Sequence, residues 1–422
     1  MSTIFTHISK IHGLTSPEKI KFGKEMSQVD SLSNVYLRVD NGRIVEIGSG
    51  NPTVNENDEV IDVMGKEVLP GFVDSHTHLV FAAPRHEEFS LRIKGASYEE
   101  IAEAGGGILN SAAKLRLMSE DELFDHAYER VKSMILHGTT CIEIKSGYGL
   151  SVDSELKMLR VVKRLKETFP IVIKATFLGA HAFPKEFKQQ PDAYIDLILR
   201  DMLPAVIADD LADHIDVFCD RGFFTVEQTE RILLQAQKYG LPSKIHGNEL
   251  GLTGGVQVAV KMQSWSVDHL EHCSEVEFEL LKGSFSKDSG NGGYGGTMPV
   301  ALPGTSYFLG IPYAPTRKMI DFGLPVVLAT DFNPGSSPIH SLQNIASLAC
   351  TQMKMLPEEV FHAITCNAAH SLRLSEELGS LGVGMRADFL VMKTSDSIKT
   401  IPYFMGQNQV ERVFIEGQEF FA

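Results

Sequence analysis

The sequence predicts an α/β protein: a (β/α)8 TIM barrel with a small β-sandwich-like domain built from both chain termini. Three observations carry this expectation. Short apolar runs alternate with amphipathic helical patterns through the middle of the chain, and both ends read as strand. Several central runs also finish in histidines, carboxylates and glycines, at the strand end where such a barrel keeps its active site. At 422 residues the chain is too long for one small core and suits a large barrel with an accessory domain. The expected division is 1–69 plus 379–422 for the composite β domain and 70–378 for the barrel.

Near the start, Val35 to Val39 and Arg43 to Ile47 are β-rich runs joined by Asp40-Asn41-Gly42, the turn chemistry of a tight hairpin. Ala387 to Met392 and Val410 to Gly417 repeat that character at the other end. Val68 to Leu79 is apolar until it closes in His76-Thr77-His78; side chains alternate faces along a strand, so the two histidines turn to one side. The later strands expected are Thr139 to Ile144, Ile171 to Leu178, Ile215 to Cys219, Ser243 to His246, Ser266 to Leu270, Met298 to Leu302 and Val326 to Thr330. Ser154 to Thr168 and Val226 to Tyr239 place Leu156, Leu159, Val162 and Leu165, then Ile232, Leu233 and Ala236, at helical spacing. Alternation alone also allows a doubly wound open sheet.

The formal charge of −15 is scattered along the chain, which reads as solubility and argues against a general nucleic-acid binder. Five cysteines, without a Cys-x-x-Cys, point to a reducing compartment and no disulfide framework. Met1 to Lys24 is polar with interspersed lysines, and no eighteen apolar residues run together, so a cytoplasmic location without a membrane partner is expected. Gly290-Asn291-Gly292-Gly293-Tyr294-Gly295 matches a dinucleotide fingerprint by letter only. No strand leads into it and Thr297 to Pro303 cannot open a helix, so Gly283 to Gly296 reads as a flexible surface loop.

The strand ends carry the chemistry: Glu143 to Gly149, Gly179-Ala180-His181, Lys244 to Glu249, Val267 to His272 and Leu328 to Gly335. A lone His-x-His also occurs as a hydrogen-bonded pair at a strand end, and the later strand ends are what favour a metal. No thiolate is in position, so the donors are nitrogen and oxygen, and His76, His78, His246 and Asp331 make a set of three imidazoles and one carboxylate with room for water. An ion so held lowers the pKa of bound water from about 15.7 toward about 7. The fourth strand, His214 to Cys219, ends without a lysine able to carry a bridging ligand, which favours one metal over two.

Pro70-Gly71-Phe72-Val73-Asp74-Ser75-His76-Thr77-His78, the later strand-end histidines and Thr330-Asp331 resemble the amidohydrolase superfamily. Within it, Phe81 to Arg85, Lys145 to Leu150, Leu178 to Ala182 and Thr330 to Ser336 are similar to the imidazolonepropionase family, a likeness that spans nearly the whole chain. The resemblance implies hydrolytic opening of 4-imidazolone-5-propanoate to N-formimidoyl-L-glutamate in histidine degradation. It further implies one zinc or iron ion per chain on His76, His78, His246 and Asp331, a small-molecule substrate and a homodimer. It places Arg85, Tyr148, His181, Glu249, Asn333, Gly335 and Ser336 at the substrate.

The residue chemistry agrees. Arg85 offers a permanently charged fork to the propanoate tail, and donors at Asn333 to Ser336 suit a carboxylate. Glu249 can accept or deliver a ring N–H proton, His269 can hydrogen-bond the water or polarise the carbonyl, and Asp331 can take a proton while remaining a ligand. The choice of general base among Glu249, His269 and Asp331 stays open. Two features depart from the family: the long Gly283 to Gly296 stretch, and Ser336 where Thr is expected. Another mononuclear amidohydrolase, such as a cytosine or guanine deaminase, shares the metal set but not Arg85 with Tyr148. A non-catalytic barrel scaffold has no reason to keep four ligands together with Glu249 and His269.

Overall fold

The computed structural model describes residues 2–16, 19–95, 106–286 and 295–421. Eight parallel strands follow one another around a sheet: Phe72–Thr77, Thr139–Lys145, Val172–Ala180, His214–Cys219, Ser243–Gly247, Ser266–His269, Met298–Ala301 and Val327–Leu328. The end of the last strand meets the first. Asp331 donates its backbone N–H to the carbonyl of His76 at 3.0 Å, and His78 donates to that of Phe332 at 2.9 Å. Those bonds close the sheet, so the architecture is the barrel and not the open doubly wound alternative. The helix Val152–Thr168 buries Met158, Leu159, Val162 and Leu165; Val226–Lys238 buries Ile232, Leu233 and Ala236. Thr225 caps the second of these by accepting from the backbone N–H of Gln228.

The run Val68 to Leu79 divides where the sequence predicts one strand. Glu67–Pro70 joins the small sheet and Phe72–Thr77 the barrel, with Gly71 between. The Gly71 N–H donates at 3.0 Å to the carbonyl of Asp388, next to the small-sheet strand Phe389–Met392, while a Cβ on Gly71 would stand 2.0 Å from the Thr140 hydroxyl of the barrel. Only glycine lets the backbone pass that close as it changes sheets.

The second sheet draws Thr3–His12, Ser31–Asp40, Arg43–Ser49, Glu59–Asp62 and Glu67–Pro70 from the start of the chain, and Phe389–Met392, Val410–Ile415 and Gln418–Glu419 from its end. Asp40 pairs with Arg43 across Asn41 and Gly42, at φ 49° and 74°, which is the expected hairpin turn. A bulge bends Thr3–His12 where the register slips between Phe5 and Ile8. Phe5 from one terminus meets Phe389 and Phe414 from the other, with ring centroids 4.9 and 5.0 Å away, all three fully buried. Edge-on packing of these rings supplies much of the apolar area that ties the two chain ends together.

Residues 287–294 of the Gly-rich stretch lie outside the described residues. The helix Glu275–Ser284 takes in Gly283 and Ser284, the first two residues of the expected loop, and the strand Met298–Ala301 follows the stretch, the reverse of the strand-then-helix order a dinucleotide loop requires. All five cysteines are free, and among the described residues no helix is long and apolar enough to cross a membrane.

Phe5→Ala is expected to cost about 3–5 kcal/mol, the usual penalty for emptying a buried aromatic site. Urea titration followed by circular dichroism measures it, and an unchanged midpoint would show that the aromatic trio does not join the termini.

Candidate metal centre and the pocket around it

The inward positions of the barrel strands are polar at a period of two. Asp74 and His76, Glu143 and Lys145, Asp216, Lys244 and His246, and Asp268 are all buried. Charges this deep need partners. Asp74 accepts from the Thr330 backbone N–H at 3.1 Å and hydroxyl at 2.6 Å, and the other carboxylates share two lysines. The Lys145 ammonium donates to Glu143 at 2.7 Å and to Asp216 at 2.8 Å, and stands 3.8 Å from Asp268. Lys244 donates to the carbonyl of Ser75 at 2.6 Å, 3.4 Å from Glu143 and 3.8 Å from Asp268.

These carboxylates in turn orient imidazoles. Asp268 lies 2.6 Å from Nδ1 of His76, and Asp216 lies 3.0 Å from Nδ1 of His246. A carboxylate accepts, so each ring carries its proton on Nδ1 and turns an Nε2 lone pair toward the barrel mouth. His76 Nε2 is buried without a hydrogen-bond partner. His78 Nε2 stands 3.2 Å from His246 Nε2, and Oδ1 of Asp331 stands 3.5 Å from Nε2 of both His76 and His78. Ligands at 2.0–2.2 Å from one tetrahedral ion are separated by about 3.4 Å, close to these three distances. The donor atoms fall into two triads that share His76, each within 4.8 Å: His76 with His78 and Asp331, and His76 with His246 and His269.

The electrostatics fit as well. Burial, reinforced by Lys145 and the neighbouring imidazoles, holds His76 well below the usual histidine pKa; burial and His181 do the same for His78. Both shifts favour the neutral ring, the form that binds a metal. The second oxygen of Asp331 accepts from the Thr305 hydroxyl at 2.5 Å, which leaves Oδ1 for an ion.

His269 stands in the same reach, with a nitrogen within 4.8 Å of donor atoms of His76 and His246. Its surroundings differ from theirs. Nε2 lies 3.7 Å from Glu249 and Nδ1 lies 3.6 Å from Glu271, so both ring nitrogens face carboxylates. Burial opposes a charge on His269, but Glu249 and Glu271 outweigh it and push its pKa well above the ordinary value. That environment suits a proton-bearing partner better than a ligand. Burial also raises the Glu249 carboxyl to about 7, with His269 opposing the shift and Glu271 adding to it.

The remaining residues singled out in the sequence form two groups. Tyr148 and His181 stand beside His78, with ring centroids 5.9 and 5.2 Å from it and 5.4 Å from each other. Arg85, at the start of the helix His86–Ile93, is held by Glu88 through Nε at 2.8 Å and Nη2 at 2.5 Å. Its free edge lies against Gly335, where a Cβ would come within 2.0 Å of Nη1. Asn333 does not offer its side chain outward: Oδ1 accepts from the N–H groups of Gly335 and Ser336, each at 2.8 Å, and Nδ2 donates to the Asp331 carbonyl at 2.7 Å. It builds the turn that follows Asp331 and so brings Gly335 against Arg85.

The sequence reading assigns no role to Lys145, Lys244, Asp216, Asp268, Thr305 or Glu88. A signal for four of them was present: charged residues at alternate positions inside otherwise apolar strand runs, which a purely hydrophobic barrel interior would not contain. Asn248, His269, Leu270 and Asp331 adopt positive φ of 59°, 89°, 65° and 51°, backbone strain held at the strand ends that surround the candidate ion.

Comparison with known proteins adds to this geometry. The pattern of the amidohydrolase family matches residues 301–420. An imidazolonepropionase from Christiangramia forsetii is 44% identical over 99% of this chain and 100% of its own length. One from Flavobacterium johnsoniae is 47% identical over 96% of each chain. Among solved structures, a guanine deaminase from C. acetobutylicum with bound guanine superposes with a TM-score of 0.74 at 17% identity, over 100% of both chains. That last likeness concerns the fold.

One metal ion per chain is expected, and His246→Ala should lose most of it, because three donors hold an ion far more weakly than four. Elemental analysis of wild type and variant checks this; two ions per wild-type chain, or full occupancy in the variant, would contradict it.

Proposed function

The chain belongs to the imidazolonepropionase family, and from that membership we propose that it opens the ring of 4-imidazolone-5-propanoate by hydrolysis, yielding N-formimidoyl-L-glutamate in histidine degradation. The observation that carries the reading is Arg85. Its nearly buried guanidinium is seated against the loop that directly follows Asp331, where a propanoate tail needs a fixed cation and a neutral purine or pyrimidine offers no anion. We read the protein as a cytoplasmic homodimer, consistent with unpaired cysteines and with the commonness of two-fold assembly.

His76, His78, His246 and Asp331 would hold one zinc or iron ion, which supplies Lewis acidity toward water and the ring carbonyl. The rest of the reaction falls to side chains. Water oxygen bonds to the carbonyl carbon while the ring C–N bond breaks; one proton leaves the water and one reaches the departing nitrogen. Glu249, with its carboxyl near 7, is suited to take the first and return it as the second. His269, between Glu249 and Glu271, can donate to the oxygen on which negative charge develops. Tyr148 and His181 wall the ring beside His78, while the turn built by Asn333, Gly335 and Ser336 seats Arg85.

Metal-loaded protein mixed with freshly prepared 4-imidazolone-5-propanoate should consume the ring absorbance and release N-formimidoyl-L-glutamate, identified by mass spectrometry. No turnover of that substrate, with ammonia release from guanine or cytosine, would overturn the reading in favour of a deaminase.

Arg85→Ala should raise KM about tenfold or more while sparing kcat, since a charge-assisted pair remote from the reacting bond contributes about 1.5–3 kcal/mol of binding. An unchanged KM removes Arg85 from the site.

The pH dependence follows from Glu249. Its carboxylate is lost as pH falls through about 7, so kcat should decline on that acid limb. Glu249→Gln should keep the metal, lower kcat by about 10²–10⁴-fold and displace the limb, leaving only the titration of the activated water. A profile with the limb intact in the variant would assign the proton transfer elsewhere.

A further inference from the structure

Glu155 lies in the first turns of the helix Val152–Thr168 and is fully buried. Its carboxylate is spent on the backbone of the preceding loop. Oε2 accepts from the N–H of Gly147 at 2.9 Å, and Oε1 accepts from those of Gly149 at 2.7 Å and Leu150 at 2.8 Å. Three amides converging on one buried anion satisfy a group that would otherwise be costly to desolvate.

The loop needs such an anchor. Gly147 and Leu150 both have positive φ, 110° and 51°, and for leucine that region is strained. A Cβ on Gly149 would lie 2.5 Å from the backbone N of Glu155, so the loop packs directly on the helix start. The carbonyls are held from other directions. Arg116 donates to those of Gly149 at 3.0 Å and Leu150 at 2.8 Å, and the Gly147 carbonyl accepts from Nδ1 of His181 at 2.9 Å. A carbonyl only accepts, so this last bond puts the His181 proton on Nδ1 and leaves Nε2 to meet a ligand. Tyr148 is carried between Gly147 and Gly149, and its ring stands 5.4 Å from that of His181.

We propose that Glu155 is a positioning residue: by gripping the loop of residues 146–150 it sets the placement of Tyr148 and the tautomer of His181 together, touching neither the candidate metal ligands nor the substrate. The proposal rests on the reading of Tyr148 and His181 as substrate contacts.

Glu155→Gln keeps the shape but presents an NH2 to one of the backbone amides. In the metal-loaded enzyme, KM for 4-imidazolone-5-propanoate should rise about tenfold or more with kcat changed by less than about threefold, at unchanged metal content. The 15N resonances of His181 should leave the pattern of a ring protonated on Nδ1. Paired with Tyr148→Phe, the double variant should lose no more than the worse single variant.

A wild-type KM together with unshifted His181 resonances overturns the proposal, as do fully additive losses or a loss of metal in step with activity. Should wild type fail to open the ring, the functional reading falls, while the His181 resonances still decide the role of Glu155. Should the Gln variant not fold, Glu155→Asp keeps the charge but not the reach, and the same readouts apply to it.

Discussion

The structure depends on an interior of paired charges where a barrel usually holds branched aliphatic side chains. Lys145 and Lys244 pair with Glu143, Asp216 and Asp268, and that pairing lets Asp216 and Asp268 remain acceptors for the Nδ1 protons of His246 and His76. Take away the lysines and three carboxylates would face each other without water. The imidazole orientations, and with them any shared ion, descend from that balance.

The same atoms also close the barrel. Asp331 offers its side chain toward His76 and His78 while its backbone N–H bonds to the His76 carbonyl, and His78 answers through Phe332. Joining the last strand to the first and gathering the candidate ligands are therefore one event. The small sheet enters through Gly71, because the strand that presents His76 is the direct continuation of one paired with Phe389–Met392. The two chain ends thereby brace the strand that carries His76.

Around the candidate metal centre, loops are held by side chains of the loops and helices around them. Glu88 grips Arg85, Asn333 folds the turn that meets it, and Glu155 holds the segment carrying Tyr148. Each is a buried or nearly buried carboxylate or amide satisfied by nearby N–H groups, a device that orders irregular backbone without adding a core. It also lets glycines 147, 149 and 335 bring the backbone within contact distance of functional side chains.

By itself the sequence determined what local periodicity and chemistry encode: the eight strands, the Asn41-Gly42 hairpin, the composite β end and the clustering of histidines and carboxylates at strand ends. Alternation along a strand forces neighbours two apart onto one face, so His76 and His78 had to point together. Only the tertiary structure decided which distant groups met. Lys145 pairing with Asp216, Asn333 turning inward, Glu88 on Arg85 and the split at Gly71 each depend on how separate elements approach in space. No local pattern carries that information, because the energy of a buried pair belongs to the closed barrel and not to either segment.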